Sequence, residues 1–178
     1  EPEKNNSRLH CANGVVVGYD GWLYLSMGDN GTDVKRPEGD RLLFQQGGIL
    51  RCRLDGSDVR VHCGGGMDNP VEVVFTPEGE MLGTVDLFYR KRGDCLVHWM
   101  HGGVYPRHDQ PDILAEFRKT GDPLTEVLNL GHIAISGLTR YRGTGFGAGY
   151  RDNLFITEFN THKIVRTILT RQGSTFTA

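Results

Sequence analysis

The first side chains that could carry out chemistry flank one short predicted hairpin. The stretch "HCANGVVVGYDGWLYLSMGDNG" runs from His10 to Gly31 and indicates two strands joined by a tight turn at Asp20-Gly21. Histidine is the side chain best suited to moving a proton near neutral pH. Asp29 follows the second strand in a Gly-Asp-Asn-Gly turn, where an aspartate commonly caps its own backbone. A strand-end histidine can likewise be satisfied by a backbone carbonyl, so both residues also have a structural interpretation.

Two other groups of polar residues have the composition of ligand sets. Asp29, Asn30 and Asp33 offer oxygen ligands, and calcium binding there stays an open alternative although the later Glu of an EF-hand is absent. His98 and His101 in "HWMH" suggest a zinc site. Residues three apart on a strand point to opposite faces, so we expect these two histidines to be structural.

A recurring unit of short strands positions these residues. Each unit is a strand, a tight turn, a strand, a polar loop and a second strand–turn–strand, with copies that begin near Asn13, Asn69 and Ser136. Four short strands at a period of tens of residues are typical of a β-propeller blade. We therefore predict an all-β chain in which residues 1–178 form one β-propeller domain or a fragment of one. At most, one short helix is expected within residues 110–122.

The length of the chain limits the number of blades. A blade takes about 40–50 residues, so this chain, with its long inserted loops, has room for about three. An open arc of three blades would leave a sheet face uncovered at each end. We therefore expect the chain to be part of a longer propeller.

Composition excludes several classes of function. The net charge of −2 gives no electrostatic case for nucleic-acid binding. No apolar run approaches the roughly 20 residues that cross a membrane. The four cysteines form no C-x-x-C pair, which argues against a zinc ribbon, a thioredoxin motif or a c-type haem site. A disulfide between Cys52 and Cys63, which flank a predicted hairpin, stays open.

The hairpin motif resembles the soluble quinoprotein glucose dehydrogenase and aldose sugar (sorbosone) dehydrogenase family. Members of that family are six-bladed propellers that use pyrroloquinoline quinone (PQQ) and calcium. Their pattern is a His, a small-residue segment, G-P-D-G, an aromatic strand and G-D-x-G. In this chain His10 is followed by Gly18-Tyr19-Asp20-Gly21 and then by Gly28-Asp29-Asn30-Gly31, and no gap is needed. The resemblance implies that His10 is the base that takes the proton of a sugar hydroxyl while a hydride moves to the quinone. It also implies that Asp29 orients His10.

Shorter matches follow in the family's order. The family's R-N-P faces the quinone, so the resemblance assigns Asn69 and position 68 to the cofactor, although Asp68 stands where the family has Arg. Gly103 and Tyr105, in "GGVYP", match a segment that lies near the calcium. Cys95 stands where an acidic ligand of that calcium is expected.

The long loops also resemble the propellers of large secreted planctomycete-type proteins, the membrane-bound dehydrogenase branch. In those proteins the propeller is fused to other domains, often a c-type haem domain. This resemblance implies a secreted or periplasmic location and an electron acceptor such as a cytochrome c domain.

Two functions follow from the sequence. The first is a dehydrogenase-like propeller that oxidises a sugar or a related alcohol, with His10, Asp29 and Asn69 at its site. The alternative is a non-catalytic propeller that binds carbohydrate or a protein partner through its loops. Asp68 and Cys95 favour the alternative, because a carboxylate at position 68 repels an anionic quinone.

Overall fold

The regular structure of this chain consists almost entirely of short β-strands. The computed structural model describes residues 10–44, 46–88, 93–109, 112 and 120–178. Its strands are β1 (Ala12–Val17), β2 (Leu23–Met27), β3 (Thr32–Lys35), β4 (Arg41–Phe44), β5 (Gly47–Cys52), β6 (Arg60–Met67), β7 (Pro70–Phe75), β8 (Met81–Phe88), β9 (Gly93–His98), β10 (Leu128–Asn129), β11 (Ile135–Arg140), β12 (Leu154–Glu158), β13 (Lys163–Thr167), β14 (Thr170–Gln172) and β15 (Thr175–Thr177). A 3₁₀ turn spans Ala148–Tyr150. Within the described residues no helix is long and apolar enough to cross a membrane. The helix predicted within residues 110–122 falls mostly outside them.

Three antiparallel sheets form three successive blades. Blade 1 has the strand order β1-β2-β5-β6, blade 2 the order β7-β8-β9-β10, and blade 3 the order β11-β12-β13. The first strands of the blades lie side by side, with β7 between β1 and β11. These strands begin at Ala12, Pro70 and Ile135, which confirms the predicted all-β propeller architecture and its three units.

Local sequence explains why the first hairpin forms. Gly21 adopts a φ of 77°, a left-handed conformation that glycine tolerates best, at the turn between β1 and β2. The Asp20 carboxylate accepts a hydrogen bond from the Trp22 amide across that turn. On β2, Tyr24 and Ser26 are buried while their neighbours are half-buried, as the alternation of a strand requires. The Ser26 hydroxyl donates to the Val71 carbonyl at 2.8 Å and so joins blade 1 to blade 2.

The core is divided between the two interfaces of the blades. One cluster, with Ile49, Met67 and Trp99, fills the space between blades 1 and 2. A second cluster, with Leu82 and Ile156, fills the space between blades 2 and 3. Burial of these side chains against the next blade is what holds the open arc together.

An extended segment after β9 links blades 1 and 2. We call residues 99–108 the bridging segment. It pairs in parallel with β6, where Gly64 donates to the Gly103 carbonyl and the Tyr105 amide donates to the Gly64 carbonyl. The bridging segment therefore runs from the end of the sheets where β9 stops, the lower face, to the end where β1 and β7 begin, the upper face.

Two details differ from the simplest blade pattern. The loop predicted after Asp29 contains the β3–β4 hairpin, and blade 3 is followed by the separate β14–β15 hairpin instead of a fourth strand in its sheet.

The possible disulfide is not formed, since Cys52 and Cys63 are both free and buried. In the register of the sheet, Cys52 pairs with Leu23 and Cys63 with Ile49.

Candidate functional site

His10 and Asp29 meet at the upper face of blade 1. His10 lies two residues before the start of β1, and Asp29 lies in the turn that follows β2. The Nδ1 atom of His10 lies 2.8 Å from Oδ1 of Asp29. A carboxylate only accepts hydrogen bonds, so Nδ1 carries a proton, and in the neutral ring Nε2 is the nitrogen with the lone pair. The structure thus brings together the two residues that the hairpin motif singled out.

Gly28 permits this close approach. Its amide donates to the Cys11 carbonyl at 2.8 Å, which holds the strand end beside the turn. A Cβ atom at Gly28 would lie 2.5 Å from the His10 carbonyl carbon, inside van der Waals contact. Any side chain there would therefore push His10 away from Asp29.

Arg107 is the site residue that sequence reasoning missed. One terminal nitrogen, Nη1, lies 2.6 Å from Oδ2 of Asp29 and 2.7 Å from Oδ1 of Asp68. The other two nitrogens make a pair of 2.9 Å hydrogen bonds to Asp109. Arg107 reaches the upper face because the bridging segment carries it there. Its position directly after "GGVYP" is the one signal in the sequence.

Asp68 is a nearly buried carboxylate held by that guanidinium. It is 3% exposed, and burial raises its pKa to about 6, although the charges of Arg107 and His10 act in the opposite direction. Nδ1 of His10 lies 3.7 Å from Oδ1 of Asp68. Asp68 therefore belongs to the same charged group as His10 and Asp29.

Asn69 is tied into a second polar chain beside this group. Its Nδ2 donates to Oδ2 of Asp86 at 3.3 Å, and its Oδ1 accepts from Asn13 at 2.7 Å. Burial raises the pKa of Asp86 to about 7, and the nearby Asp94 carboxylate adds to the rise. Both polar ends of Asn69 are thus engaged by protein groups.

Where blades 2 and 3 meet, the Asp94 side chain accepts hydrogen bonds from backbone amides. Its carboxylate accepts from the amides of Leu87, Ile133 and Ala134 at 2.7–3.2 Å. Leu87 and Ala134 both have positive φ angles, 51° and 53°. The buried carboxylate stabilises these two uncommon conformations by satisfying their amides.

Gly103 and Tyr105, the residues expected near calcium, lie in the bridging segment. The Tyr105 hydroxyl donates to the His98 carbonyl at 2.6 Å and accepts from the Met100 amide at 2.8 Å. The Gly103 carbonyl accepts from Gly64. The Tyr105 hydroxyl and the Gly103 carbonyl are already in hydrogen bonds, and a calcium site there stays a prediction.

Within the described residues, one cluster has the composition of a metal site. Ligand atoms of His10, Asp29 and Asp68 all lie within 4.8 Å of one another. The guanidinium of Arg107 lies between the two carboxylates and provides the positive charge that an ion would provide. Asp33, the other oxygen ligand suggested for calcium, is bonded to Arg41 on the β3–β4 hairpin.

A family model described as "Domain of unknown function (DUF7133)" matches residues 3–178. The chain belongs to this DUF7133 family. No curated protein matches the sequence. The name DUF7133 carries no activity, so the structural neighbours provide the remaining comparison.

Solved sugar dehydrogenases share the fold of this DUF7133 chain. One glucose dehydrogenase is 22% identical over 92% of this chain, with a TM-score of 0.61. A glucose dehydrogenase-type oxidoreductase from Thermus thermophilus is 18% identical over 95%, with a TM-score of 0.64. The PQQ-bound aldose sugar dehydrogenase of Streptomyces coelicolor is 17% identical over 94%, with a TM-score of 0.58. The chain spans about half of each of these proteins, 48%, 51% and 47% respectively.

The described upper-face residues of this DUF7133 chain do not fit an anionic quinone. Asp29, Asp68 and Asp109 surround one guanidinium, so the group is net negative when His10 is neutral. All three nitrogens of Arg107 already point at carboxylates, and the Asn69 amide is engaged. No cation of this group is left to pair with a carboxylate of the cofactor.

Proposed function

We propose that the upper face is the substrate side of a sugar dehydrogenase-like propeller that removes the hydroxyl proton of a sugar or a related alcohol. The single observation that carries this proposal is the His10–Asp29 hydrogen bond at 2.8 Å. The likeness to glucose and aldose sugar dehydrogenases supports the choice of substrate class.

The geometry suits His10 as a proton acceptor. Because Asp29 holds Nδ1–H, the Nε2 atom is the one free to accept a proton from a hydroxyl. Asp29 then stabilises the imidazolium that forms, while Nη1 of Arg107 fixes the carboxylate from the far side at 2.6 Å. In this arrangement Arg107 is a positioning residue, since it acts through Asp29.

Oxidation of the alcohol carbon also requires an acceptor for its hydride. PQQ is the candidate, supported by the PQQ-bound neighbour from Streptomyces coelicolor. Since the described residues do not fit this cofactor, its contacts would have to come from other parts of the protein. The planctomycete-type branch, calcium, a cytochrome c acceptor and a secreted or periplasmic location remain predictions.

A second candidate function is sugar binding without oxidation. It is favoured by Asp68, which stands where the resemblance expects a cation and forms a closed set of charges with Arg107. Such a site offers carboxylate and imidazole groups to sugar hydroxyls but repels an anionic oxidant.

One titration of the full-length protein separates these functions. PQQ with and without calcium is added and followed by its optical spectrum, and aldoses are then added while sugar binding is measured by calorimetry. The dehydrogenase proposal predicts saturable PQQ binding and reduction of the quinone by sugar, both measured in wild type. The His10→Ala variant should lose the reduction, whereas His132→Ala, which alters an exposed histidine of the same face, should keep it.

Three other outcomes are informative. Sugar binding without quinone reduction favours the binding function. Equal reduction by wild type and His10→Ala would contradict the role of His10. Absence of both sugar and quinone binding would contradict both functions.

A further inference from the structure

A cavity at the lower face lies away from the His10 group. It has a volume of about 630 Å³ and opens between blades 1 and 2. We call it the lower cleft. Its walls come from the β1–β2 turn, β6, the β7–β8 turn and the start of the bridging segment. Three histidines line it, His62, His98 and His101, and the proposed function uses none of them.

His62 is a buried imidazole with no hydrogen bond to the described residues. It lies on β6 and is 7% exposed, with its ring edge-on to Tyr24 at 5.2 Å. Its Nδ1 atom is fully buried and has no partner there. A buried polar atom left in this state costs about 1–3 kcal/mol, so Nδ1 gives this imidazole no stabilising hydrogen bond within the described structure.

His101 lies beside it because the bridging segment pairs with β6. The Gly102 amide donates to the His62 carbonyl at 2.7 Å, which places the two histidines next to each other across this ladder. Their ring centres are 5.2 Å apart and the rings are tilted by 60°. His101 is exposed, so an ion can reach the pair from solvent.

The separation of the two rings allows joint coordination of one ion. A zinc–nitrogen bond of about 2.05 Å puts the metal about 3.2 Å from the centre of an imidazole ring. Two such rings at a tetrahedral angle have centres about 5.2 Å apart. The observed separation of His62 and His101 is the same.

We propose that His62 and His101 bind a divalent transition-metal ion, with zinc as the reference ion and water at the remaining positions. Neutral imidazole is a preferred ligand of zinc, copper and nickel. The ion would fasten the start of the bridging segment to β6. The other end of this segment carries Arg107, so the lower cleft would help to hold the upper-face group in place.

His98 provides a matched control within the same cavity. Its Nδ1 lies 3.3 Å from the Thr175 hydroxyl, and its ring packs against Phe176 at 5.3 Å. It lines the lower cleft but is already engaged by the β14–β15 hairpin. We therefore do not assign it as a ligand.

The test is zinc titration of the full-length protein after removal of metals with EDTA. Calorimetry should show one zinc ion bound per chain at micromolar concentration or tighter. His62→Ala and His101→Ala should each weaken this binding about tenfold or more, because each removes one of two protein ligands. His98→Ala and His10→Ala should bind zinc as wild type does. In a second titration, Co²⁺ replaces zinc and is followed by its visible absorption. Wild type and the two controls should show the spectrum of tetrahedral nitrogen and oxygen ligation. His62→Ala and His101→Ala should not show it.

The proposal fails if wild type binds no zinc, or if His62→Ala and His101→Ala both bind as tightly as wild type. It also fails if zinc binding is lost in His10→Ala and kept in His101→Ala, which would place the ion at the upper face. Should His62→Ala not fold, the exposed His101 decides the question, since its replacement leaves the core intact.

Discussion

Buried polar groups have opposite surroundings at the upper face and at the lower cleft, the two ends of the same strands. At the upper face, charged groups are kept and paired, with Arg107 joining Asp29, Asp68 and Asp109. At the lower cleft, burial lowers the pKa of His62 to about 4, helped by the neighbouring His101 and Arg51, so the ring is neutral. Paired charge fixes side chains in place, while a neutral imidazole leaves a lone pair available. The contrast suggests positioning of a base at one end and room for a ligand at the other.

The largest effect should come from removing the guanidinium at the upper face. Arg107→Met leaves Asp68 buried without its cation, and we expect a loss of about 3 kcal/mol in the free energy of unfolding at pH 7. The loss should shrink at pH 5, because Asp68 can then be protonated. Urea denaturation at both pH values measures this. Arg41→Met, which breaks the exposed pair with Asp33, should change stability little. If the two substitutions lowered the free energy of unfolding equally, the stability of the upper-face carboxylates would not depend on Arg107.

A smaller effect, with a pH signature, is expected at Asp86. Its pKa of about 7 lies above the value of about 3.8 in an unfolded chain, so the folded protein holds a proton that the unfolded chain releases. The contribution of the Asp86 carboxyl group to the free energy of unfolding is present in full below pH 4 and is lost as the pH rises to about 7. Asp86→Asn should therefore equal wild type in stability at pH 4 and become steadily more stable than wild type as the pH rises to about 7.

Urea midpoints from pH 4 to pH 8 measure this difference. The fall that Asp68 contributes, with its pKa near 6, should remain in the variant. A constant difference between Asp86→Asn and wild type at every pH would contradict a titrating Asp86.

The lower cleft should respond weakly to a comparable substitution. His62→Leu, measured in EDTA, removes no hydrogen bond to the described residues and relieves a buried unpartnered nitrogen. We expect stability to rise by about 1 kcal/mol or less. A loss as large as that of Arg107→Met would remove the contrast between the two faces, because it would reveal a structural bond at His62.

The smallest effect concerns the middle of the strands, between the two faces. Cys63 is buried and free on β6, and burial raises the pKa of its thiol. A reductant should therefore leave the thermal midpoint unchanged. A lower midpoint in dithiothreitol would mean that a disulfide forms in solution.

The sequence predicted the parts of this molecule that depend on neighbouring residues. Alternating apolar residues and turn glycines are local signals, and they placed the starts of β1 and β7 close to their observed positions. His10 and Asp29 could be paired because they flank one hairpin.

Contacts made by inserted segments could not be found in this way. Arg107 reaches Asp29 across 78 positions of the chain, and no periodic pattern records that approach. The strand alternation considered for His98 and His101 does not apply, because β9 ends at His98. Both residues line the lower cleft.

The bridging segment has a consequence for how the chain unfolds. Repeat proteins commonly open one repeat at a time, since each unit contacts only its neighbours through side chains. Here the outer strand of blade 1 is hydrogen-bonded to a segment that belongs to blade 2. The two blades should therefore open as one cooperative unit, with amides of β6 and β9 exchanging hydrogen at a common rate, while blade 3 opens separately and sooner.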